Sequence, residues 1–196
     1  MDTESKKKIS VGRVVRIAAT SVVFLVIGLF VIRCCMVADK SRFSSLAATD
    51  AVRSAFSDGE STVYTVKVES EMAEDGYFAA YGFYYNPESG EVQFAVRWNR
   101  SVYRYTDMPE DHEFSFYLLN ETTGQICPAV SAGSDRMSMY QYRKMLAEGV
   151  ELGEEEQLTA VMVLRDGFES RQVLKYAEQK WTEYTPKAKL LEELKG

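Results

Sequence analysis

The sequence predicts a mainly β protein: an antiparallel β-sandwich, loosely immunoglobulin-like, preceded by one N-terminal transmembrane helix and followed by a short C-terminal helix. An uncharged apolar stretch at residues 17–32 predicts the first helix. About seven to nine short segments with strand-like alternation follow, separated by turn-forming residues. The amphipathic spacing of residues 187–195 indicates the last helix. The cysteine pair of an antibody domain is absent, so only the architecture is predicted.

The apolar stretch predicts a membrane anchor. Ile17–Ile32 would form a helix roughly 24 Å long, which is short for a hydrocarbon core of about 30 Å. We therefore extend the span to residues 14–38. Arg16 and Arg33 then lie near its two boundaries, where long basic side chains reach the head groups.

A cleaved signal peptide is the alternative, because signal peptides also carry a basic segment before an apolar one. Cleavage after Ala38 would place the bulky Met36 at position minus three, so we favour the anchor. Basic residues set the orientation, and they favour a cytoplasmic N-terminus with the bulk of the chain outside. Five precede the span and three follow it closely: Lys6, Lys7, Lys8, Arg13 and Arg16, then Arg33, Lys40 and Arg42.

Net charge limits the partners. Residues 1–38 hold six Lys/Arg and two Asp/Glu, a net +4; the whole chain is −6, so residues 39–196 carry −10. Such an acidic domain argues against nucleic acid, because phosphates require clustered basic residues. We expect contact with membrane lipid through residues 14–38, a protein partner or self-association, and no nucleic acid.

Five parts follow from these patterns. In chain order they are a basic cytoplasmic tail (1–13), the transmembrane anchor (14–38), a stalk with a weak helical period (39–60), the β-sandwich domain (61–177) and a helical C-terminal tail (178–196).

Within the β domain, Tyr77–Tyr85 and Glu91–Asn99 predict a hairpin around an Asn-Pro-Glu-Ser-Gly turn. Ile126–Val130 predicts an edge strand, because Pro128 lacks a backbone donor. The other predicted strands or strand pairs are 64–69, 102–105, 113–119, 137–146, and 158–164 with 172–176.

No catalytic, cofactor or metal site is predicted. His112 is the only histidine, and Cys34, Cys35 and Cys127 do not form a zinc-binding set. Phosphate-binding glycine loops are absent. The acidic segment 148–156 reads as an exposed loop. Asn99 and Asn120 stand in glycosylation sequons, which carry weak information because three-residue matches are common.

A dense aromatic and cationic patch is the one candidate partner-binding site. Tyr, Trp and Arg are the residue types that dominate binding hot spots. The patch consists of Arg97, Trp98, Arg100, Tyr103 and Arg104. A core Trp beside ordinary surface arginines is the alternative reading.

These observations predict a single-pass, membrane-anchored extracytoplasmic β-domain that binds protein or assembles an envelope complex. A small-ligand binder or enzyme with a dispersed site is one alternative, and a structural spacer is another. A pocket with convergent titratable groups would favour an enzyme, and an exposed aromatic surface would favour a binder.

Overall fold

The computed structural model describes residues 11–57, 61–69, 71–99, 114–133, 136–137, 140–153, 156–164, 167–175 and 181–195. The strand predicted at 102–105 lies outside these residues. By their internal contacts the residues group into two compact units, 1–41 and 42–196.

Helix α1 spans Val11–Ser57. In the part of α1 that belongs to the first unit, the apolar side chains are exposed. Phe24 is 70% and Phe30 67% accessible. This helix is long and apolar enough to cross a membrane. The apolar N-terminal helix predicted from the sequence is therefore present.

The second unit holds the strands, which we number in chain order. Their bounds are β1 Tyr64–Val66, β2 Phe78–Asn86, β3 Glu91–Asn99, β4 Ser115–Asn120, β5 Ile126–Ser131, β6 Arg136–Met137, β7 Tyr140–Ala147, β8 Leu158–Val163, β9 Glu169–Val173 and β10 Thr182–Glu183. Helix α2, Ala188–Lys195, follows. The predicted hairpin is confirmed, since β2 and β3 pair antiparallel from Asn86↔Glu91 to Phe78↔Trp98.

The predicted sandwich is not confirmed. All described strands belong to one antiparallel sheet, in the order β10–β1–β2–β3–β7–β5–β4–β8–β9, with β6 beside β7. This sheet curves as a half-barrel. Its concave face encloses one core, which includes Phe78, Phe94, Trp98, Phe116 and Leu118. Alternation along each strand predicts which residues are buried, but one curved sheet and two stacked sheets share that alternation.

Strand β5 is not the expected edge, because it lies between β7 and β4. The sheet tolerates Pro128 because the β5–β7 ladder begins only at Ala129↔Ala147. Ala147 is the last residue of β7, so no β7 residue lies opposite Pro128. The missing N–H therefore leaves no gap on that side.

Residues 42–57 of α1 belong to the same unit as the strands and cover part of the convex face of the sheet. Phe43 stacks on Tyr142 of β7 with ring centres 5.3 Å apart. An alanine-rich face packs toward β2. The polar contacts with the sheet are Ser44–Tyr84, Ser54–Glu91 and Asp50–Lys144. This helical segment, expected as a stalk, is thus a layer of the domain.

A bulge in β2 permits this close approach. The β2–β3 register shifts between Tyr81 and Tyr84, and Gly82 lies in that interval with φ +62°. A Cβ at this position would lie 2.5 Å from Ser44 Oγ and 3.0 Å from Ser44 Cβ. Only glycine combines this backbone angle with the space the helix needs.

The side chain of Gln172 joins β9 to β2. Strand β1 pairs with β2 only at Phe83–Tyr85, so the first half of β2 has no β1 neighbour. There the side chain of the buried Gln172 forms the hydrogen bonds that a neighbouring strand would form. Its Oε1 accepts from Ala80 N at 2.7 Å and its Nε2 donates to Ala80 O at 2.9 Å. A side chain thus satisfies backbone groups that the sheet leaves open.

Candidate functional site

Two adjoining cavities open at one end of the half-barrel, and they form the candidate site. The first, about 400 Å³, is lined by Tyr64, Tyr85, Pro87, Leu152, Gly153 and Trp181. The second, about 470 Å³, is lined by Thr123, Gln125, Glu151, Leu152, Gly153 and Glu156. They share Leu152 and Gly153 as a common wall, and we call the pair the end cleft.

Aromatic rings form one wall of the end cleft. Tyr64 and Tyr85 are cross-strand partners on β1 and β2, so their side chains project to the same face. The Trp181 indole packs beside Tyr85, with ring centres 5.7 Å apart. The Tyr85 hydroxyl donates to Val150 O at 3.3 Å, which ties this wall to the loop opposite.

Polar side chains hold residues 148–153 and 156–157, the described parts of the 148–157 loop, in place. Asn120 is 2% exposed, and its Nδ2 donates to Glu151 O at 3.2 Å and to Glu156 Oε2 at 2.8 Å. Gln125 donates from Nε2 to Gly149 O at 2.8 Å. A glycan on Asn120 would require breaking these bonds, so the sequon at this position reads better as a loop anchor.

Two carboxylates give the end cleft a negative field. Among the residues that the structure describes, the lining includes Glu151 and Glu156 and no Lys or Arg. Burial is the main cause that raises the pKa of Tyr85, and the charges of both glutamates add to it. Their field thus extends from the acidic cavity into the aromatic one. The end cleft therefore combines aromatic faces with negative charge.

The Glu156 carboxylate is expected to lock the loop only when it is ionised. Hydrogen bonds from Gly153 N and then from Asn120 lower the pKa of this group below its usual 4.5. A lowered folded-state pKa means that the stabilisation is present above about pH 4.5 and is lost as the pH falls through the lower folded value. The Gly153 amide shift, followed by NMR, should titrate with a midpoint below 4.5.

Glu156→Gln keeps an acceptor oxygen but removes the charge, so the acid transition at Gly153 should disappear. A Gly153 midpoint at or above the value of a free glutamate would contradict the lock.

The structure separates the members of the predicted patch that it describes. Trp98 is 2% exposed and belongs to the core. Arg97 projects to the opposite face of β3, with Cζ 4.9 Å from the centre of the Tyr140 ring. Arg100, Tyr103 and Arg104 lie outside the described residues, as does His112. The partner-binding role of this patch stays a prediction.

Sequence reasoning misses the end cleft. The predicted helical tail includes Trp181, whereas this residue directly precedes β10. Glu151 and Glu156 belong to the predicted exposed loop, and nothing in their spacing indicates that Trp181 lies nearby. Tyr64 and Tyr85 carry the one usable signal, since both stand in apolar, aromatic-rich strands. In the described part of the chain, no group of three His, Cys, Asp or Glu side chains is placed to hold a metal ion.

Comparison with models of protein families, with curated proteins and with solved structures finds no match to this chain.

Proposed function

We propose that the protein is a membrane-tethered binding module, with its N-terminus cytoplasmic and its β-domain outside, and that the end cleft receives a protein partner. The cleft is the observation that carries this proposal. It is concave, aromatic side chains line part of it, and hydrogen bonds hold its loop, which are the features of a preformed site.

The convex face supplies a second argument. Residues 42–57 cover part of the sheet. They belong to the same helix, α1, as the apolar segment that can enter the bilayer. The end cleft lies among the turns that follow β2, β4 and β7, and none of its described lining residues belongs to helix α1. A partner can therefore enter it without displacing the helical layer.

A cysteine-directed photo-crosslinker in intact cells tests both orientation and binding. The variant carries Cys34→Ser, Cys35→Ser and Thr123→Cys, and the reagent is a membrane-impermeant maleimide that bears a photo-reactive group. Cys127 stays silent, because it is buried and burial raises the pKa of its thiol. We expect labelling at position 123 and, after irradiation, one discrete protein adduct.

Ser115→Cys in the same background is the matched control. Ser115 is also exposed but begins β4, at the strand end remote from Thr123. It should be labelled equally and give no such adduct. Absence of label at both positions would overturn the orientation. Label at both positions without a specific adduct at 123 would overturn the protein-binding role.

A further inference from the structure

The aromatic cavity of the end cleft indicates the charge of its ligand. Tyr64, Tyr85 and Trp181 line a cavity of about 400 Å³, enough for a side chain with several heavy atoms. Aromatic faces carry a negative quadrupole, so they attract a cation and not an anion. Trp181 offers the strongest such face in the cavity.

Negative charge lies beside these rings. Glu151 and Glu156 line the adjoining cavity, and both influence Tyr85 through their charge. The described residues that line the two cavities include no Lys or Arg. A positively charged group in the aromatic cavity would therefore gain from the rings and from the carboxylates together. A neutral or anionic group would gain from only one or from neither.

The aromatic cavity suits an arginine side chain better than a lysine side chain. A guanidinium is planar and weakly hydrated, so it stacks on aromatic rings more readily than an ammonium does. The second cavity adds Thr123, whose hydroxyl oxygen accepts from Gln125 N and whose O–H can donate to a peptide carbonyl. The −10 charge of residues 39–196 also favours approach of a basic segment.

From these observations we infer that the end cleft binds an arginine-bearing segment of a protein partner, with the guanidinium against Trp181 and Tyr85 and the neighbouring chain along Glu151 and Glu156. This inference rests on the proposed binding role of the cleft and specifies its ligand class.

Peptide binding to the full chain in a neutral detergent tests the inference. The probe is acetyl-(Arg-Gly)₃-amide, and the matched control peptide carries citrulline, which keeps the shape of arginine but lacks its charge. Isothermal titration should show saturable binding of the arginine peptide, and the citrulline peptide should bind at least about tenfold more weakly.

Variants locate that binding. Trp181→Leu should weaken it about tenfold or more, and Glu151→Gln or Glu156→Gln about three- to tenfold each. Glu192→Gln removes an equal charge from an exposed position on α2 and should leave the affinity unchanged. Equal loss with Glu192→Gln, or no loss with Trp181→Leu, would show that the peptide binds through net charge alone and would overturn the inference.

Three further outcomes separate the possibilities. Phosphocholine that competes for the cleft at lower concentration than the arginine peptide would overturn the inference in favour of a lipid head group. A protein adduct at position 123 with no arginine-peptide binding would overturn the ligand class and leave the binding module standing. Absence of both the adduct and peptide binding would overturn both proposals.

Discussion

Gly82→Ala is expected to lower the free energy of unfolding of the strand-containing unit by about 2–4 kcal/mol. The φ of +62° is strained for alanine, and the new methyl group would lie 2.5 Å from Ser44 Oγ. Either the bulge or helix residues 42–57 must move. Thermal unfolding followed by circular dichroism should show a fall in Tm of about 4–16 °C, given about 2–4 °C per kcal/mol for this size.

Gly76→Ala separates backbone strain from the steric clash. Gly76 has φ +76°, but its adjacent residues aside, no atom of the described residues lies within 4 Å of the place its new methyl group would occupy, so the substitution should cost only the strain. That strain is about 1 kcal/mol. Adding Ser44→Ala to Gly82→Ala removes the nearest atom and should recover part of the loss. Equal effects of Gly76→Ala and Gly82→Ala would contradict the role of Gly82 in helix packing.

Gln172→Leu is expected to cost about 2–4 kcal/mol, because it leaves the buried N–H and C=O of Ala80 without their side-chain partner. Leucine has nearly the same side-chain volume as glutamine, so the loss of stability reports on hydrogen bonding. Chemical denaturation gives the free energy of unfolding. Hydrogen exchange should quicken at the Ala80 amide well before it does on the β2–β3 ladder.

Arg171→Leu is the matched control on the adjacent residue of β9. Arg171 is exposed and pairs with Glu169 on the surface, so its loss should cost under about 1 kcal/mol. A Gln172→Leu variant that unfolds no more readily than Arg171→Leu would show that the link between β9 and β2 contributes little.

Local patterns in the sequence are informative where a residue's neighbours along the chain decide its environment. Alternation from Val92 to Trp98 predicts β3 and its buried face, and the turn residues after Asn86 predict its pairing with β2. The apolar run likewise predicts the first helix. These features depend on periods of two or 3.6 residues, which a sequence displays directly.

Long-range features are not predictable in the same way. Pro128 suggests an edge, yet its acceptability depends on where β7 ends. Gln172 gives no signal, because its partner lies 92 positions away. The end cleft joins Trp181 to the 148–157 loop, and a sequence alone does not show that its segments meet. The curvature of the sheet decides these contacts.

The layer formed by residues 42–57 determines where a soluble fragment of this protein should begin. A fragment starting at residue 61 would uncover Tyr84, Ala95 and Tyr142, which are buried under or beside the helix. It would also leave Lys144 without Asp50. Such a newly exposed apolar surface invites self-association. A fragment starting at Arg42 retains the layer and omits the membrane-compatible part of α1, so it is the better subject for biophysical work.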